Sequence, residues 1–192
     1  MPYYAVSMIT LRIETERLVL KPFRSGDADL MRLLDSDAEV VRFLGYGRIR
    51  SEEESEQNLQ KILKDYEVYG LGLFAIHEKA SGRFLGRSGL IPWILENTLT
   101  WEIGYSLRRD AWGQGYAYEA ARNIADWARN NLNVPYVISL IHPDNKASIR
   151  VAEKLGMKFH KQFQFVGLEL SMFRLELGSG VSLVEQILSG HD

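Results

Sequence analysis

A single domain of the α/β (α+β) class, with a mixed and mostly antiparallel sheet flanked by helices, is predicted by three observations. The 192 residues suit one domain with a full core. The segments run strand, helices, three strands, helix, strand, helix, two strands, which is a mixed α and β order. Turn signals between successive strands build hairpins, and these exclude a purely parallel sheet.

Each element has its own signal. Residues 17–23 alternate apolar and polar and read as a strand. Ser25, Gly26 and Asp27 mark a turn, and residues 27–35 read as a helix carrying Leu30, Met31, Leu33 and Leu34. A second helical piece is expected over 37–44, broken by Gly45 and Gly47. Ser51 followed by Glu54 predicts a capping box at the start of a third helix. Leu59, Ile62, Leu63 and Tyr66 share its apolar face, and Gly70 stops it. The run Glu52-Glu53-Glu54-Ser55-Glu56 reads as a solvated start that complements the helix dipole.

Residues 73–78 and 83–91 form a predicted hairpin around Lys79-Ala80-Ser81-Gly82. Residues 98–107 are a third strand, with Trp101, Ile103 and Tyr105 on one face. A glycine-rich turn leads to a long helix over 116–131, where Ala117, Ala120, Ala121, Ile124, Ala125 and Ala128 recur at helical spacing. The apolar run 135–141 reads as a buried strand, and 146–155 as a helix closed by Gly156. Two antiparallel strands, 157–165 and 169–177, finish the domain. The domain is thus expected over 14–177, with an extension at 1–13 and a tail at 178–192. In that tail Val181, Leu183, Val184, Ile187 and Leu188 fit a short amphipathic helix.

Composition narrows the function. A net charge of −2 argues against a nucleic-acid binder. The absence of cysteine excludes disulfides, thiolate metal sites and a cysteine nucleophile. His77, His160 and His191 lack metal-ligand spacing, so no metal is expected. No apolar run approaches the ~20 residues that span a bilayer, and the N-terminus lacks a signal-peptide pattern. The expected location is the cytoplasm.

The chemistry is concentrated between Trp101 and Ala117, where a strand, a turn with Trp112-Gly113-Gln114-Gly115 and a helix start follow one another. A helix N-terminus offers unpaired N–H groups and partial positive charge, and two glycines admit an anion closely. A Walker loop is excluded because no Gly-Lys-Ser/Thr is present. A dinucleotide fingerprint fails because Tyr118 stands where its third glycine belongs. Alone, the two glycines could do no more than shape a turn.

A second segment decides between these readings: His142-Pro143-Asp144-Asn145-Lys146-Ala147-Ser148, then Glu153-Lys154-Leu155-Gly156-Met157. With both segments present, the chain resembles the GNAT acetyltransferases over about 14–177. It is most similar to the branch of RimJ and RimL, the ribosomal-protein N-terminal acetyltransferases. The matches are to a W-G-x-G-Y-A turn and an N-x-x-S … E-K-L-G-F helix. The departures are Trp112, where the superfamily more often has Gln or Arg, and Met157 in place of Phe.

The resemblance implies acetyl-CoA as cosubstrate and an amine as acceptor, joined by direct attack in a ternary complex. It implies that Trp112, Gly113, Gln114, Gly115, Tyr116 and Ala117 hold the pyrophosphate. Tyr105 to Leu107 would bond the pantetheine arm through their main chain, and Asn145 would hold it from the other side. Ser148, near the sulfur, is the expected acid, with Tyr105 and Tyr116 as weaker candidates. Glu102, alternating with Trp101 and Ile103, is the expected base if it faces the cleft and not solvent; His142 is the second candidate.

The resemblance also places the acceptor site in the helical region 24–50 and the loops after Ile91 and Phe163. Asp27, Asp29, Asp35, Asp37 and Glu39 are expected to frame an acidic mouth that attracts cationic amines. A peptide α-amine or a small amine would serve as acceptor, and a homodimer is usual for such proteins. A non-catalytic acyl-CoA-binding or interaction module of the same fold is the alternative, and a nucleotide-binding protein is the third reading.

Overall fold

The computed structural model describes residues 12–45, 47–165 and 167–178. Among them the chain runs through β1 (Ile13–Glu14), β2 (Leu18–Pro22), α1 (Ala28–Asp35), α2 (Ala38–Val41), α3 (Glu52–Tyr69) and β3 (Leu73–Glu78). It continues through β4 (Phe84–Leu95), β5 (Thr98–Leu107), α4 (Tyr116–Asn131), β6 (Tyr136–Ile141), α5 (Lys146–Lys154), β7 (Lys158–Phe165) and β8 (Leu168–Glu176). The strands join one sheet in the order β1-β2-β3-β4-β5-β6-β8-β7. All neighbours are antiparallel except β5 and β6. Those two are parallel because α4 carries the chain back across the sheet between them. The mixed, mostly antiparallel sheet is therefore as the sequence predicts.

Helices cover both faces. On one face α4 lays Ala120, Ala121, Ile124, Ala125 and Ala128 against Trp101, Ile103 and Leu90. Its small side chains let the helix axis lie close to the sheet, and Trp101 is 1% exposed beneath it. On the other face Met31 and Leu34 of α1 and Leu59, Ile62 and Tyr66 of α3 pack on Ala75 and Phe84. Each large apolar side chain so buried contributes about 1.5–3 kcal/mol. The capping box of α3 forms as the sequence indicates. Ser51 Oγ accepts from Glu54 N at 3.1 Å, and Ser51 N donates to Glu54 Oε2 at 2.8 Å. Gly70 closes the same helix by donating to Tyr66 O.

Some expectations need correction. The strand expected to end at 91 continues to Leu95, so no loop follows Ile91. The chain then turns through Glu96 and Asn97, both with positive φ (50° and 63°), directly into β5. Without an Asn-Gly or Asp-Gly pair, that hairpin had no sequence signal. Likewise β7 runs through 163 to Phe165, so no loop follows Phe163. The second helical piece is only Ala38–Val41, and β1 was not anticipated. The amphipathic helix expected in the tail and most of the expected N-terminal extension lie outside the described residues. Among the described residues no helix is long and apolar enough to cross a membrane.

Candidate active site

The site lies where β5 and β6 part. Their parallel pairing is confined to Glu102 and Ile138. Beyond that pair, side chains bridge the two strands. Ser139 Oγ donates to Ile103 O at 2.8 Å, and Leu140 N donates to Glu102 Oε1 at 3.0 Å. A cleft of about 380 Å³ opens at this split. Glu102, Tyr105, His142, Asn145 and Ser148 all line it.

Glu102 does not face solvent. It is 9% exposed, on the face of β5 opposite Trp101 and Ile103. Its other oxygen, Oε2, accepts from Trp93 Nε1 at 2.6 Å. Burial raises its pKa, and the bonds from Trp93 and Leu140 offset only part of that rise. A buried carboxylate with two fixed donors and a raised pKa has the properties of a base.

His142 is less suited to that task. Its Nδ1 accepts from Asp144 N at 3.1 Å, which places the proton of the neutral ring on Nε2. Neither nitrogen then has a free lone pair. The ring packs on Phe43 with centroids 5.1 Å apart.

The first turn of α5 stands at the cleft by two bonds. Asn145 Oδ1 caps the helix by accepting from Ser148 N at 3.1 Å, leaving its amide nitrogen to donate. Tyr105 OH donates to Ser148 O at 3.0 Å. Burial drives the Tyr105 hydroxyl pKa well up, so it stays a donor. The Ser148 side chain also lies within hydrogen-bond reach of the Tyr105 hydroxyl, and Ser148 lines the cleft.

Trp112 to Ala117 and Leu107 do not line the cleft; Leu107 ends β5, and Trp112 to Ala117 follow past it. Trp112 Nε1 donates to Leu107 O at 2.8 Å and pins the turn to the strand. Gly113 and Gly115 have φ of 75° and 83°, the left-handed region that other residues adopt at a cost. Gly115 precedes α4 with no side-chain cap, so the first-turn amides are unclaimed by a capping side chain. A Cβ at Gly113 would meet nothing within 4 Å, and one at Gly115 only Arg17 Nη2 at 3.5 Å. The space above the helix start is therefore open, and the residues fit a pyrophosphate. Tyr116 is turned away from the cleft, its hydroxyl donating to Glu78 at 2.8 Å.

Several residues had no sequence signal. Arg17 holds the turn: its Nη1 donates to Gln114 O at 2.9 Å, and its Nε donates to Glu119 at 2.7 Å. Trp93 reaches Glu102 and packs on Phe165, with centroids 4.8 Å apart. Arg50, Lys61, Asp65 and Arg87 also line the cleft. None of these belongs to a motif; Arg17, Trp93, Arg50, Lys61 and Arg87 act through contacts distant in sequence.

The acidic mouth is not observed. Asp27 accepts from Arg24 N at 2.8 Å, and Asp29 pairs with Arg32 at 3.4 Å. Asp35, fully buried, pairs with Arg50 at 2.7 Å. Asp37 caps α2 and pairs with Arg109 at 3.3 Å, and Glu39 pairs with Arg42 at 3.7 Å. These carboxylates serve caps and ion pairs, and none lines the cleft. The region 24–50 instead contributes Phe43, Leu44, Gly45 and Arg50 to it.

Comparison with known proteins matches this geometry. A family model described as an acetyltransferase (GNAT) domain matches residues 17–158. The chain is 36% identical to the uncharacterized protein YkkB of Bacillus subtilis over 78% of this chain and 87% of that one. It is 30% identical to the uncharacterized N-acetyltransferase p20 of Bacillus licheniformis, over 75% of this chain and 80% of the other. Among solved structures, RimL, a ribosomal alpha-N-protein acetyltransferase in complex with coenzyme A, superposes with a TM-score of 0.72. The sequences are 15% identical there, over 88% of this chain and 100% of that one, a likeness of fold.

Proposed function

Because the chain belongs to the GNAT acetyltransferase family, we propose that Glu102 and Ser148 are the base and the acid of its acetyl transfer. The activity itself is acetyl-CoA-dependent N-acetylation of an amine. Acetyl-CoA, when bound, supplies the acetyl group as a thioester. The observation that carries the assignment is the buried Glu102, which lines the same cleft as Ser148.

In this reading Glu102 takes the proton of the acceptor amine, directly or through one water. Trp93 and Leu140 hold its carboxylate in place while it does so. Ser148 donates a proton to the departing sulfur, and Tyr105 keeps the first turn of α5 at the required position. Gly113 to Ala117 hold the pyrophosphate with main-chain amides, Trp112 and Gln114 shape that turn, and Tyr105 to Leu107 offer the free edge of β5 to the pantetheine arm. The Asn145 amide donates to that arm from the opposite wall.

The acceptor is an α-amine, of a peptide or a small molecule. With a pKa near 8 it loses its proton more readily than a lysine side chain near 10.4, which suits a carboxylate base. The reaction belongs to the cytoplasm, and two copies of the chain act as a homodimer.

Gly115→Val tests the cradle. Acetyl-CoA raises the Tm of the native protein because it binds only the folded state. The variant, if folded, shows no such rise. A normal rise would remove the turn from the cofactor site.

A further inference from the structure

We propose that the acceptor carries its own oxyanion, a carboxylate or a phosphoryl group, and that Arg87 receives it. This rests on the acetyltransferase reading above and names the substrate class for the same cleft.

Arg87 stands on the cleft face of β4. Its register partner on β5 is Ser106, and four pairs away Ile91 faces Glu102. Side chains two apart share a face, so Arg87 and Glu102 project from the same side of the hairpin. Their positions differ by four residues along the strands, roughly 13 Å between backbones at ~3.3 Å per residue. A guanidinium and a carboxylate base thus stand at two ends of one small cleft.

Arg87 has no carboxylate within ion-pair distance among the described residues. Its one side-chain polar contact among the described residues is Nη1 to Met31 Sδ at 3.7 Å, a weak acceptor. The nearby carboxylate, Asp35, is engaged at both oxygens: Oδ1 takes Arg50 at 2.7 Å and Oδ2 takes Asn58 at 3.1 Å. The other cations of the cleft are already placed. Arg50 is in that ion pair, and Lys61 lies over the Trp93 ring at 4.6 Å. Burial lowers the Arg87 pKa, and Asp35 compensates only in part. A half-buried guanidinium lacking an anion is costly to maintain. An oxyanion on the acceptor satisfies it in the two-pronged geometry that guanidinium favours. The cleft volume of about 380 Å³ suits a compact acceptor.

The test compares acceptors that differ only in the anion. The carboxylate arm sets short peptides with a free N-terminal α-amine and a free C-terminal carboxylate against the same peptides as C-terminal amides. The phosphoryl arm sets O-phosphoserine amide against serine amide. In at least one arm the anionic member is expected to have the larger kcat/KM by ~10- to 100-fold, the range of a charge-assisted hydrogen bond. Arg87→Gln is expected to shrink that ratio to about twofold or less. Arg87→Lys, which keeps the charge without the fork, retains an intermediate ratio. Acetyl-CoA-induced Tm shifts confirm that each variant is folded. Equal rates within every pair, a ratio that survives in Arg87→Gln, or no turnover of any pair by protein that binds acetyl-CoA would overturn the proposal. Failure to bind acetyl-CoA at all would instead remove the acetyltransferase reading.

Discussion

Trp93 and Glu102 are joined across the β4–β5 hairpin by a 2.6 Å bond from the indole N–H to the carboxylate. They are diagonal neighbours, since Trp93 pairs with Thr100 and Ile91 with Glu102. The bond fixes the carboxylate at the cleft and offsets part of its desolvation.

The pH profile follows from this relationship. As base, Glu102 must be ionised, so kcat/KM rises with pH through its raised pKa. Trp93→Phe removes a donor that favours the ionised form, so the acid limb moves to higher pH. Glu102→Gln abolishes that limb. Profiles with one acceptor check both, and an unmoved limb in Trp93→Phe would sever Trp93 from the base.

Stability carries the same sign. Glu102 binds its proton more tightly folded than unfolded, so its contribution falls as pH rises from the ordinary value of 4.5 through the raised pKa. The wild type should lose more Tm over that window than Glu102→Gln. Parallel Tm curves would contradict the burial argument.

Ser148→Ala removes the expected acid while keeping the Asn145 cap, which uses the backbone N–H. A loss of roughly 100- to 10,000-fold in kcat is expected, with little change in acetyl-CoA affinity. Steady-state rates and a binding titration decide it. An unchanged kcat excludes the role.

Arg17 and Glu119 lock the glycine turn to the sheet. Burial opposes ionisation of Glu119, but bonds from Thr15 and Arg17 outweigh it and lower its pKa. Its stabilisation is therefore present above the ordinary value of 4.5 and lost as pH falls through the lowered folded value. At neutral pH, Glu119→Gln should cost about 1–2 kcal/mol, or ~2–8 °C in Tm, discounted because Arg17 is partly exposed. The loosened turn should also weaken acetyl-CoA binding. Calorimetry on both counts checks this; a weakened Tm with unaltered affinity would separate the clamp from the cradle.

Glu96 occupies a positive-φ position that favours Asn or Gly. Glu96→Asn should stabilise the protein, despite losing the exposed pair with Lys161. A urea midpoint equal to or below that of the wild type would refute it.

The sequence by itself determined what local rules govern. The strand period of residues 18–22, the Ser51–Glu54 capping box and the alanine face of α4 each depend on neighbours within a few residues. So does the open helix start after Gly115. The tertiary structure decided what depends on distant partners. Whether Glu102 met solvent or a cleft depended on Leu140, 38 residues away, and on how β5 and β6 part. The Arg17–Glu119 clamp closes over 102 residues. The acids of 27–39 looked like a charged mouth because charge is legible in a sequence and pairing is not. Ion pairs and caps consumed them, and Arg87 was left without a carboxylate partner among the described residues, because burial and hydrogen-bond satisfaction are properties of the packed chain.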